Sequence, residues 1–124
     1  MKRIILLAGI LAFTGFGAMA SDHEIPQKRP NISGIGFGKA LYDKFCASCH
    51  GTKMKGTKKG PPFLHRIYHP GHHADGSFYV AVQRGTRQHH WKFGNMEPVT
   101  GVSQAMVASI VQYVRFMQKQ AGIF

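Results

Sequence analysis

Two thiols three residues apart, with a histidine directly after the second, constrain this chain more than any other stretch: Cys46-Ala47-Ser48-Cys49-His50. A C-x-x-C-H run is the signature of covalent haem attachment. Positions i and i+3 of a helical turn face the same way, so both sulfurs can reach the two vinyl groups of one porphyrin as thioethers. The next residue, His50, then lies under the ring, where an imidazole nitrogen can bind iron as proximal ligand. Two other readings compete. A thioredoxin-like dithiol opens a helix after a strand, and no strand-like run precedes Cys46. A zinc site normally takes four ligands, and the chain has no second cysteine pair.

Lys2 and Arg3 lead into an apolar run from Ile4 to Phe13, and Ala18-Met19-Ala20 closes the segment. Charged start, apolar middle and small-x-small end read as a secretory signal peptide over residues 1–20, cleaved after Ala20. The run is short for a span of about 20 apolar residues, so no transmembrane segment is expected after cleavage. Export to the periplasm suits thioether formation, and no further cysteine exists for a disulfide framework. What remains is enough for one small domain, whose core is marginal without a staple. A covalently held, mostly apolar porphyrin provides one. Sixteen Lys and Arg face five Asp and Glu, a formal +11 of which Lys2 and Arg3 leave with the signal. So basic a surface points to acidic partners, and an exported chain without a nucleic-acid motif is a poor nucleic-acid binder.

Residues 21–36, with Pro26, Pro30, Gly34 and Gly36, read as an extended N-terminal arm. Gly38 to His50 reads as the first helix, with Gly38, Leu41, Tyr42 and Phe45 on one face. A glycine on that face costs about 1 kcal/mol against alanine, which implies that another helix approaches closely. The turn-rich stretch Gly51 to Gly60 carries Lys53, Lys55, Lys58 and Lys59, either a docking patch for an acidic redox partner or a solvated charge run. In Gly60-Pro61-Pro62-Phe63 the carbonyls are free to accept, and Pro61 is the expected acceptor that orients His50.

A short helix capped by Asp75 or Ser77 is expected to run to Arg84 with Phe78, Ala81 and Val82 inward and Gly85 as its stop; a short strand is the alternative. Arg87 to Asn95 reads as a loop in which Trp91 walls the haem pocket or packs in the core. Met96, followed by Pro98, offers a thioether far along the chain from His50 and is the expected sixth iron ligand. Met54 is too near the proximal side, Met106 and Met117 read as core, and His89 or His90 compete. Ser103 caps the last helix, which runs to Ala121 with Val107, Ile110, Val111, Val114 and Met117 buried, Tyr113 flanking them and Gly122 as stop. This is the surface expected against Gly38.

In order and spacing, Gly38 with Tyr42, Cys46/Cys49/His50, Gly60-Pro61, Asn95-Met96-Glu97-Pro98 and Ile110 with Tyr113 resemble the small monohaem class I cytochromes c of bacteria. The resemblance covers residues 37–124. It implies an all-α fold of three to four helices wrapped around one haem c, with the first and last helices crossing. It also implies His50/Met96 ligation and a role in electron transfer.

The departure from that pattern is histidine: His65, His69, His72, His73, His89 and His90 all precede Met96. His69 and His72 with His73 could form part of a copper or zinc site, or they are loop residues, some bonding propionates. The leading expectation is a monomeric periplasmic electron carrier and not an enzyme. The alternatives are a haem subunit or enzyme with an openable sixth site for peroxide or a sulfur or nitrogen compound, and a copper-handling protein using the histidine-rich loop.

Overall fold

The computed structural model of the chain describes residues 32–124. The expected signal peptide, and the arm as far as residue 31, lie outside the described residues. Four α-helices follow in order: α1 Ile32–Phe45, α2 Ala47–His50, α3 Asp75–Arg84 and α4 Gln104–Gln120. A single 3₁₀ turn stands at Arg66–Tyr68 between α2 and α3. Among the described residues no strand forms; an isolated antiparallel bridge joins Thr86 to Met96. The all-α expectation is met, and the strand alternative for residues 75–84 is not.

The helix before the haem motif differs from its expected form at both ends. It begins at Ile32, so the arm does not extend to Gly36. Ile35 lies three residues before Gly38 on the same face and packs on the core, which extends the amphipathic stripe by a turn. At the other end Cys46 leaves helical geometry, with φ −120° and ψ −32°. The break is local: Cys46 N–H still donates to Tyr42 at 2.8 Å, and the His50 N–H to Cys46 at 2.9 Å.

α1 lies against α4, and Gly38 is why they can approach. A Cβ there would overlap the Ser109 carbonyl and stand 3.0 Å from the Tyr113 Cβ. α4 itself follows from its pattern. Ser103 accepts from the Met106 N–H at 3.3 Å, which satisfies one of the helix's free N-terminal donors. Val107, Ile110, Val111, Tyr113 and Val114 are buried along one face, so Tyr113 belongs to the stripe it was expected to flank. Each such side chain contributes about 1.5–3 kcal/mol of burial. Met117 is only half-buried; Gln118, next to it, is completely enclosed.

The core these helices share contains Leu41, Tyr42, Ala47, Met54, Phe63, Ile110, Tyr113 and Val114. Tyr42 is its hub. Its ring meets Phe63 and Tyr113 edge-on, with centroids 6.2 and 5.7 Å away, and its hydroxyl donates to the Gly51 carbonyl at 2.8 Å. That bond ties the turn after the haem motif to α1. α3 is different in kind: none of its residues is buried.

Candidate haem site

A cavity of about 730 Å³ opens between α2, α3, α4 and the segment 86–99. Cys46, Cys49 and His50 line it, together with Phe78, Trp91 and Met96. The four expected site residues therefore share one cavity, and Trp91 is one of its walls.

His50 is buried, at 7 % exposure. Its Nδ1 lies 2.9 Å from the Pro61 carbonyl, the acceptor expected from the Gly-Pro-Pro run. Nδ1 therefore carries the hydrogen, and Nε2 is left as the lone-pair nitrogen. The Phe63 ring stacks on the imidazole at 4.0 Å and 18°, which fixes its plane. Burial pushes the His50 pKa below the ordinary histidine value, and the bond to Pro61 offsets only part of this. The ring is thus neutral at physiological pH, as a metal-binding imidazole must be. Phe63 carries no sequence signal for this role beyond its place after two prolines.

The loop after His50 folds back over the motif. Thr57 donates from its hydroxyl to the Cys49 carbonyl at 2.7 Å, and the Gly56 N–H donates to His50 at 2.8 Å. Burial pushes the Cys46 thiol up to about 11, with the neighbouring Cys49 adding to it. A thiol so far from ionisation at neutral pH is a poor redox nucleophile, which disfavours the dithiol reading. Among the described residues neither cysteine joins a group of metal-ligating side chains, which disfavours zinc. Met54, the methionine closest to the motif in sequence, is fully buried in the protein core and does not line the cavity.

Met96 is held by backbone, not by packing. It exchanges two 2.9 Å hydrogen bonds with Thr86. Gly85 makes that pairing possible: its φ is +73°, and a Cβ there would overlap the Met96 carbonyl oxygen. Across the same loop, Asn95 accepts from the Gln88 N–H at 3.0 Å, and Gln88 accepts from the Gly94 N–H at 2.7 Å. The bridge lacked a sequence signal, because Thr86 sits outside any apolar periodicity.

The cavity passes a further test for a porphyrin. Phe78, Ala81 and Val82 of α3 present an apolar surface to it, and although Phe78 also meets Phe63 edge-on at 5.5 Å, no residue of that helix is buried by protein alone. A flat apolar ring is the complement such a face requires. Two polar residues that sequence reasoning missed hold α3's approach in place. Arg115 of α4 donates to Asp75 at 2.7 Å, to the Tyr68 carbonyl at 2.7 Å and to the His73 carbonyl. Gln118 donates to the Phe63 carbonyl at 2.9 Å and accepts from Arg115 at 2.8 Å. Their only sequence signal is a place on the edge of the α4 stripe.

The histidines gather in a different set from the one expected. His72, His73 and His90 come together, while His69 turns away to accept from the Gly71 N–H at 2.9 Å. His73, His89 and His90 also line the cavity. Lys59 stands at its edge, and Lys53, Lys55 and Lys58 are exposed nearby in sequence. No described helix is long and apolar enough to cross a membrane.

Comparison with known proteins agrees with this geometry. A family model described as Cytochrome c matches residues 37–118. No curated protein and no solved structure gives a match. From the haem motif, the cavity behind it and a family match spanning most of its length, the chain belongs to the cytochrome c family of haem-based electron-transfer proteins and carries haem c covalently on Cys46 and Cys49.

Proposed function

We propose that this protein is a periplasmic one-electron carrier, with His50 as proximal ligand through Nε2 and Met96 as the sixth ligand through its thioether. The observation that carries the reading is the shared cavity, which Met96 lines together with the Cys46–His50 turn. When bound, haem supplies an iron that changes oxidation state by one electron. The chain's part is to keep the coordination alike in both states. Pro61 and Phe63 hold the imidazole, and the Thr86 bridge holds the backbone of Met96. A neutral sulfur ligand raises the potential relative to a second histidine.

Residues 1–20 act as the export signal in this reading, and the mature protein meets its partners in the periplasm. Docking is electrostatic: Lys53, Lys55, Lys58 and Lys59 are exposed, and Lys59 borders the cavity. Such contacts speed encounter and let partners part quickly. Reversal of charge in Lys58→Glu/Lys59→Glu is expected to slow electron exchange with an acidic partner at low salt and to have little effect at high salt. The carrier assignment itself is tested by adding cyanide to the ferric holoprotein. Two protein ligands predict slow, weak binding. Fast stoichiometric binding would instead indicate an open sixth site and an enzymatic role.

A further inference from the structure

We infer that His72, His73 and His90 form a site for one borderline transition-metal ion, Cu(II) or Zn(II), at the rim of the haem cavity. One ring nitrogen from each lies within 4.8 Å of the others. The Nε2 atoms of His72 and His90 are 3.3 Å apart. Two nitrogens bound to one tetrahedral ion, at about 2.0–2.1 Å each, lie about 3.3 Å from one another. The contact is an N–H···N hydrogen bond whose nitrogens already stand at the separation that a shared ion imposes, so an ion would take the place of its hydrogen.

His73 adds the feature that distinguishes a metal-ready imidazole from a loop histidine. Its Nδ1–H donates to the Ile67 carbonyl at 2.7 Å, which fixes the ring and leaves Nε2 as the ligand atom. The loop carrying His72 and His73 is itself braced. Both N–H groups donate to the His69 carbonyl, at 2.8 and 2.9 Å, and Arg115 binds the Tyr68 and His73 carbonyls from α4. The Arg115 charge is met by the Asp75 carboxylate at 2.7 Å. His90 arrives from the other side, on the loop closed by the Thr86–Met96 bridge.

Three imidazoles, without a carboxylate or thiolate among them, favour Zn(II) or Cu(II) over the hard ions Ca(II) and Mg(II). The fourth position falls to water or to His89, whose ring centre is 4.3 Å from that of His90. His69 is the internal control. It neighbours the cluster in sequence, but its ring packs edge-on to Phe124 at 5.8 Å.

The test uses tag-free, haem-loaded protein titrated with Zn(II) alone by calorimetry and with Cu(II) alone by electron paramagnetic resonance. One equivalent is expected to bind, with nitrogen coupling in the Cu(II) signal. His72→Ala and His90→Ala are each expected to weaken binding at least about tenfold, and His69→Ala to leave it unchanged. Haem absorption and helical circular dichroism check that each variant is folded, and His90→Gln replaces the alanine variant if that one loses haem. No stoichiometric binding by the unsubstituted protein would overturn the site, as would binding that survives both cluster substitutions or falls equally with His69→Ala.

Discussion

Two regions of the molecule are built on different principles. From Gly38 to Phe63, and again from Val107, side chains bury one another; between them, from Leu64 to Met106, no residue is buried. The first region supplies His50 from a buried position and the two cysteines from half-buried ones beside it. The second supplies Met96 and Trp91 from half-buried loop positions and α3 from an apolar face turned to the cavity. Leu64, Tyr68, Phe78, Val102 and Met106 reach the α1–α4 core only from its edge. A bound porphyrin would supply the apolar partner that the middle segment otherwise lacks, whereas the α1–α4 pair has a core of its own.

The sharpest way to break the contrast is at the helix crossing. Gly38→Val places a side chain against the Ser109 backbone, which cannot yield as a flexible side chain would. A loss of about 3 kcal/mol is expected by urea unfolding of the holoprotein. Gly85→Ala strikes the other region. Strain at φ +73° and collision with the Met96 carbonyl are expected to cost about 1–2 kcal/mol and to disturb the Met96 environment while leaving His50 alone. If both variants lose the same stability and the same spectral features, the two regions are one cooperative unit and the distinction fails.

Native-state hydrogen exchange sharpens it further. The Thr86 and Met96 amides, paired only with each other across an exposed loop, are expected to exchange at least about tenfold faster than the Val114 amide at the centre of α4. Smallest of all is Lys58→Glu, which is expected to shift stability by less than about 0.5 kcal/mol, since the side chain is exposed and its proposed role is in docking.

The same division decides what could be read from the chain. α4, its Ser103 cap, the Gly38 contact and the His50–Pro61 bond were all legible, because each rests on local spacing or on residues close in sequence. The early start of α1 was not, since Ile35 earns its place by packing on the core. The break at Cys46 was hidden inside an unbroken amphipathic pattern. Arg115 and Gln118 are polar residues whose partners are carbonyls of distant loops, and such bonds leave no periodic trace. The histidine cluster was half legible: His72 and His73 were named, but only the Thr86–Met96 bridge brings His90 to them in place of His69.

The most direct test of the whole account is the far-red absorption of the ferric holoprotein. Ligation by Met96 predicts a weak sulfur-to-iron charge-transfer band that disappears in Met96→Ala and persists in His90→Ala. A missing band in the unsubstituted protein, or one that outlives the loss of Met96, would contradict it.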